Sequence, residues 1–200
     1  MEVLLNFDMK VFEFVERYVW HPVLDPVMAA ITHLGDIGLI WILIAVALLL
    51  FKKTRRYGAA MGLALLLSLL VNDMIIKVLV ARPRPFVEAL PDGWGQRLRF
   101  PSIVPRPHDF SFPSGHTSSS FAAATVLLLS VKKRFGISAF ALAVLIGFSR
   151  IYLHVHYCTD VLAGVAVGIV LGLTAKWLVD KIVSAFSRRR KTGHRKKQKK

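Results

Sequence analysis

The stretch Ser149-Arg150-Ile151-Tyr152-Leu153-His154-Val155-His156-Tyr157-Cys158-Thr159-Asp160 puts an arginine, two histidines and an aspartate where the apolar run Ile137–Leu153 gives way to a second, Val161–Val183. A hydrocarbon layer of about 30 Å is crossed by roughly 20 apolar residues in a helix, and both runs approach that length. Charged groups at membrane depth are costly unless they are paired or put to use. The stretch therefore reads as the junction of two membrane helices, with polar chemistry gathered at one membrane face.

Working outward, three further apolar runs precede this junction: Thr117–Val131, Tyr57–Val80 and the shorter Ile37–Phe51, whose helix starts near Thr32. Asn72, Asp73 and Lys77 are expensive in lipid, so that end of the Tyr57–Val80 run faces protein or water. Near the start, Val3, Phe7, Val11, Phe14, Val15 and Tyr18 recur at helical spacing with acids between them, the pattern of an amphipathic helix. His21-Pro22 breaks it. Leu24–Leu34 is too short to cross alone and reads as a re-entrant or interfacial helix, or as a sixth span. The expectation is an all-α polytopic membrane bundle of five to six transmembrane helices with an N-terminal amphipathic helix. It forms one domain over residues 1–187, followed by a disordered basic tail, 188–200.

Composition agrees. Of 200 residues, 54% are hydrophobic. That excludes a disordered, collagen-like or disulfide-stapled chain, and Cys158 is the sole cysteine. The net charge of +15 is concentrated in the tail, which carries nine basic residues and no acidic ones. The basic balance is thus no argument for nucleic-acid binding, and the tail suits anionic lipid instead. Lys52–Arg56, Lys132–Arg134 and the tail each follow an odd-numbered span. Excess Lys and Arg marks the cytoplasmic side. The chain then sits in the cytoplasmic membrane with its C-terminus inside, and residues 81–116 and 154–160 share the extracytoplasmic face.

Three polar clusters meet on that face. One is Lys77 with Arg82-Pro83-Arg84-Pro85. The second, Pro113-Ser114-Gly115-His116, opens an apolar helix, where free backbone N–H groups and the helix dipole attract an anion. The third is the opening stretch, where His156 and Asp160 share a face if the segment is helical. Three cations, an anion-binding turn, two histidines and an orienting carboxylate suit phosphoryl transfer, whose transition state spreads negative charge over three oxygens.

The spacings Lys77-x6-Arg84-Pro85, Pro113-Ser114-Gly115-His116 and Ser149-Arg150-x5-His156-x3-Asp160 resemble the three-part signature of the type-2 phosphatidic acid phosphatase superfamily. Leu24-Asp25-Pro26, Arg84-Pro85-Phe86 and Gly147-Phe148-Ser149-Arg150 are similar to its short bacterial branch, which includes undecaprenyl-diphosphate phosphatases of the bacitracin-resistance type. The resemblance implies a metal-independent lipid phosphatase with no cofactor. His156 is then the nucleophile, forming a phosphohistidine, with Asp160 orienting it and His116 as general acid and base. Lys77, Arg84, Ser114, Gly115 and Arg150 cradle the phosphate. The lipid stays open among undecaprenyl diphosphate, phosphatidylglycerophosphate and phosphatidic acid, and so does the oligomeric state. His108, His154 and Arg82 fall outside the motif and are read as structural. Trp94, Arg97, Arg99 and Arg106 are candidates for a head group. The alternatives are a non-enzymatic membrane adaptor with a lipid-binding tail, or a vanadate-binding haloperoxidase.

Overall fold

In the computed structural model the described residues are 2–87 and 104–197, and among them all regular structure is helical. The elements are α1 (Glu2–Phe14), α2 (Leu24–Leu34), α3 (Leu39–Leu50), α4 (Arg55–Val80), α5 (Gly115–Ser130), α6 (Lys133–Tyr152) and α7 (Cys158–Lys197). Helices α4 and α6 and the Cys158–Arg188 part of α7 are each long and apolar enough to cross a membrane. The pair α2 and Asp36–Leu50, bent by 44°, passes as a fourth unit. Each expected apolar run forms a helix, but the one expected to start near Thr32 starts at Leu39, after the break that Ile37 and Gly38 make at positive φ. The run Thr117–Val131, however, is α5, only 16 residues long and enclosed by α3, α4, α6 and α7. The tail read as disordered continues α7 as helix through Lys197, and 198–200 lie outside the described residues.

Small residues explain how α5 is enclosed. Ala122, Ala123, Ala124 and Val126 are wholly buried, while Leu43, Leu50, Leu79, Leu129 and Leu145 are exposed. Lipid tails are as apolar as leucine, so helices in a membrane associate through close packing of small residues rather than through expulsion of water. Gly164, Gly168 and Gly172 form such a stripe on α7. A Cβ at Gly164 would stand 2.8 Å from the Ser114 carbonyl oxygen, and one at Gly172 would stand 2.6 Å from that of Ala122. Two buried bonds tie the neighbours to α5: Trp41 Nε1 donates to Ser120 Oγ (2.9 Å), and the Ser68 and Ser118 hydroxyls pair at 3.0 Å.

The N-terminal helix buries a face that includes a carboxylate. Val3, Phe7, Phe14 and Tyr18 are exposed, and the buried face is Asp8, Met9, Phe12 and Val15. It packs near Ile151–Tyr157, beside the polar end of the bundle.

Candidate active site

Five local structures aim side chains at one end of the bundle. Helix α4 widens to π-helical winding over Ser68–Ile76, immediately before Lys77, and its last residue is Val80. Ala81 then turns at φ 48°. The chain departs through Arg82-Pro83-Arg84 and returns at 104–114, where the Ser111 N–H donates to the Arg82 carbonyl (2.8 Å). Ser114 caps α5, accepting from the Thr117 hydroxyl (2.9 Å) and N–H (3.4 Å), as a serine does at the start of a helix. The turn 153–157 joins α6 to α7. Asp36 comes from the bend between α2 and α3, where Ile37 (φ 56°) and Gly38 (φ 69°) take left-handed backbone angles.

His156 therefore lies in a turn and not on a helix, which corrects the shared-face reading. The turn still brings His156 Nδ1 to 3.5 Å from Asp160 Oδ2, in the first turn of α7. That oxygen also accepts from Ser111 Oγ and from the Tyr157 N–H (3.0 Å). Nε2, the other ring nitrogen, lies 3.2 Å from Arg84 Nη1. Burial above all, and then the charges of Arg84, Arg150 and Lys77, hold the His156 imidazole well below its ordinary pKa. A neutral ring with Nδ1 toward a carboxylate leaves Nε2 with its lone pair.

The cations converge. Lys77 Nζ donates to Asp109 Oδ2 (2.7 Å) and pairs with Asp73 Oδ1 (2.9 Å). Arg84 donates Nη2 to Asp109 Oδ1 (2.5 Å), Nε to the Asp109 carbonyl (2.8 Å) and Nη1 to the Val155 carbonyl (2.7 Å). Burial pushes the Asp109 carboxyl up, but Lys77 and Arg84 outweigh it and hold the pKa at about 2. Arg150, 3% exposed on α6, donates Nη1 to Thr32 Oγ1 (2.6 Å), and its buried Nε has no hydrogen-bond partner among the described residues. His116 Nε2 meets Asp36 Oδ1 at 2.8 Å.

Lys77, Arg84, Gly115, His116, Arg150 and His156 line one cavity of about 580 Å³. Its walls continue away from the polar end between α3 and α4, along Ile42, Val46, Leu49, Leu65 and Leu66. Two expected residues stand elsewhere: Ser114 is the buried cap of α5, and Asp160 lies behind His156. A Cβ at Gly115 would meet Asp73 Oδ1 at 2.5 Å, so the glycine leaves room for that carboxylate.

Asp8, Asp36, Ser111 and Asp109 were not singled out by the motif. Asp109 and Ser111 stand a few residues before Pro113, and their proximity to the second cluster was the available signal. Arg82, read as structural, binds Asp160 Oδ1 at 2.6 Å. Arg106 lies over Phe86 (5.7 Å), whereas Trp94, Arg97 and Arg99 fall outside the described residues. Among the described residues, no group of three or more His, Cys, Asp or Glu could hold a metal ion.

A helical membrane bundle with cations and histidines around one cavity defines a class, the membrane phosphatases. The profile of the PAP2 superfamily matches residues 56–184, and the chain belongs to that superfamily. It is 33% identical over 176 residues to phosphatidylglycerophosphatase B of Bacillus subtilis, covering 80% of this chain and 78% of the relative. It is 29% identical over 164 residues to an undecaprenyl-diphosphatase of Sulfolobus acidocaldarius, covering 82% and 74%. Its fold matches the crystal structure of a transmembrane PAP2-type phosphatidylglycerolphosphate phosphatase from Bacillus subtilis. There the TM-score is 0.70 with 30% identity, over 91% of this chain and 89% of that one. The chain is a membrane protein and a phosphate hydrolase.

Proposed function

We propose that the protein removes phosphate from a lipid monophosphate or diphosphate through a phosphohistidine on His156. The observation that carries this is the cavity. One end gathers Lys77, Arg84, Arg150 and the two histidines, and the other is an apolar cleft between α3 and α4. A charged phosphate and a hydrocarbon chain need those two surroundings side by side.

His156 Nε2 attacks phosphorus while the bond to the leaving oxygen breaks, and protonated His116 gives that oxygen its proton. His116, now neutral, takes a proton from water as the hydroxide oxygen bonds to phosphorus and the P–N bond breaks. Phosphate leaves and both histidines return to their starting states. Lys77, Arg84 and Arg150 offset the charge on the equatorial oxygens, with Arg gripping two at once and Lys acting as a point charge. The Gly115–His116 turn adds free N–H groups at the start of α5. Asp160 orients His156 and stabilises its positive charge.

The same reading has five or six membrane crossings, the basic clusters and C-terminus in the cytoplasm, and the site on the extracytoplasmic face. The tail then lies against anionic lipid. Undecaprenyl diphosphate and phosphatidylglycerophosphate are the first substrates to try, since relatives are named for them. Phosphatidic acid is the third. The test is phosphate release by purified protein from these three lipids with EDTA present. We expect turnover of at least one, lost in His156→Ala. Release from none of them, or turnover surviving in His156→Ala, overturns the proposal.

A further inference from the structure

The N-terminal helix reaches the first turn of α7 through Thr159, and the carboxylate of Asp160 through the guanidinium of Arg82. Asp8, on the buried face of α1, is 0% exposed. Its Oδ1 accepts from the Thr159 N–H (2.8 Å), and its Oδ2 accepts from the Thr159 hydroxyl (2.7 Å) and from Arg82 Nη2 (2.8 Å). Arg82 turns its other arm, Nη1, to Asp160 Oδ1 (2.6 Å) and to Thr159 Oγ1 (2.7 Å). Its guanidinium lies 3.8 Å over the Tyr157 ring. One planar cation is thus divided between two buried carboxylates, one from each end of the chain.

We propose that Asp8 is a positioning residue for the His156–Asp160 pair, acting through Arg82. Asp160 has two oxygens with different duties. Oδ1 is committed to Arg82, so Oδ2 is left facing Ser111, the Tyr157 N–H and His156 Nδ1. This division holds only while Arg82 gives Asp160 one arm. A guanidinium binds a lone carboxylate best with both arms in parallel. Without the Asp8 charge, Arg82 swings its Nη2 arm toward Asp160 and draws Oδ2 away from His156. Asp8 is fully buried and is not a lining residue of the cavity, so its effect falls on the chemical step and not on binding.

This inference rests on the assignment of His156 and Asp160 made above. The experiment is a double-mutant cycle on kcat and KM with Asp8→Asn, Asp160→Asn and both together, in purified full-length protein. Met9→Ala, which thins the packing of the same helix without touching the carboxylate, controls for loss of structure. We expect Asp8→Asn to lower kcat at least ~10-fold with KM within ~2-fold, and to add less than ~2-fold once Asp160 is already Asn. Met9→Ala keeps kcat within ~2-fold while lowering the melting temperature. Asp160→Asn at the wild-type rate removes the underlying assignment and this inference with it. A slow Asp160→Asn beside an unchanged Asp8→Asn overturns the inference alone. So does an Asp8→Asn loss that multiplies in full with that of Asp160→Asn, or one that Met9→Ala reproduces.

Discussion

Burial readies His156 for the nucleophilic role proposed for it. Desolvation and three neighbouring cations keep its ring neutral in the folded protein, whereas the unfolded chain protonates it below about pH 6.5. The folded pKa is depressed, so the unfolded state binds more protons in that interval and stability falls as pH drops through about 6.5. One such group contributes at most about 1.4 kcal/mol per pH unit. Thermal unfolding in detergent at pH 7 and pH 5 checks this: the wild type should lose more melting temperature than His156→Gln, and equal losses would contradict it. Asp109 presents the opposite case, a carboxylate resting on two of the cations assigned to phosphate. A phosphate must displace it, which lowers apparent affinity by the fraction of time the cradle is free. Asp109→Asn should therefore lower the inhibition constant of inorganic phosphate at least ~3-fold. A raised constant would mean that the carboxylate arranges Lys77 and Arg84 for the substrate.

At the scale of elements, the α5–α7 contact is the packing on which the site depends, because α5 carries Ser114 and His116 and α7 carries Asp160. Gly172→Val puts a branched side chain where a carbonyl oxygen already stands 2.6 Å from a bare Cβ. Overpacking of this kind costs about 1–3 kcal/mol, and the variant should show a lowered melting temperature and reduced activity. Wild-type values for both would mean that the helices separate freely. The helices themselves were legible, since apolar runs bounded by basic or proline-containing segments announce them. The three polar clusters were legible too, because their residues sit at helix ends where charge is out of place. Asp8, Asp36 and Asp109 were not. Each acts on a partner more than twenty positions away, and local periodicity carries no trace of such a pairing. The apolar stripe on α1 was visible, but not which part of the helix packs on the bundle: Val3, Phe7, Phe14 and Tyr18 are exposed, while Asp8, Met9, Phe12 and Val15 are buried.

The whole molecule sets unlike environments side by side, with cations and histidines at one end of a cavity and apolar walls along the other. Gly62 lines the apolar part, and a Cβ there would meet no atom within 4 Å. Gly62→Phe should fill that space without touching the cations. Activity on a long-chain lipid phosphate should fall at least ~10-fold, while p-nitrophenyl phosphate, which has no chain to house, should change by less than ~3-fold. Equal losses on both substrates, or none on either, would show that no chain lies between α3 and α4.

The enclosure of α5 bears on a property of the surrounding bilayer. Membranes differ in thickness by several ångströms, and a spanning helix answers a mismatch by tilting or by deforming the lipid around it. Helix α5 is 16 residues long and buried over most of its length, Leu129 near its end being exposed, so it meets chiefly other helices. The outer helices absorb the mismatch, while the one that carries His116 keeps its depth relative to its neighbours. In the proposed reading His116 sits on that inner helix, whereas Lys77, Arg150 and Asp160 sit on the longer helices around it, so bilayer thickness acts on His116 through the packing between α5 and its neighbours.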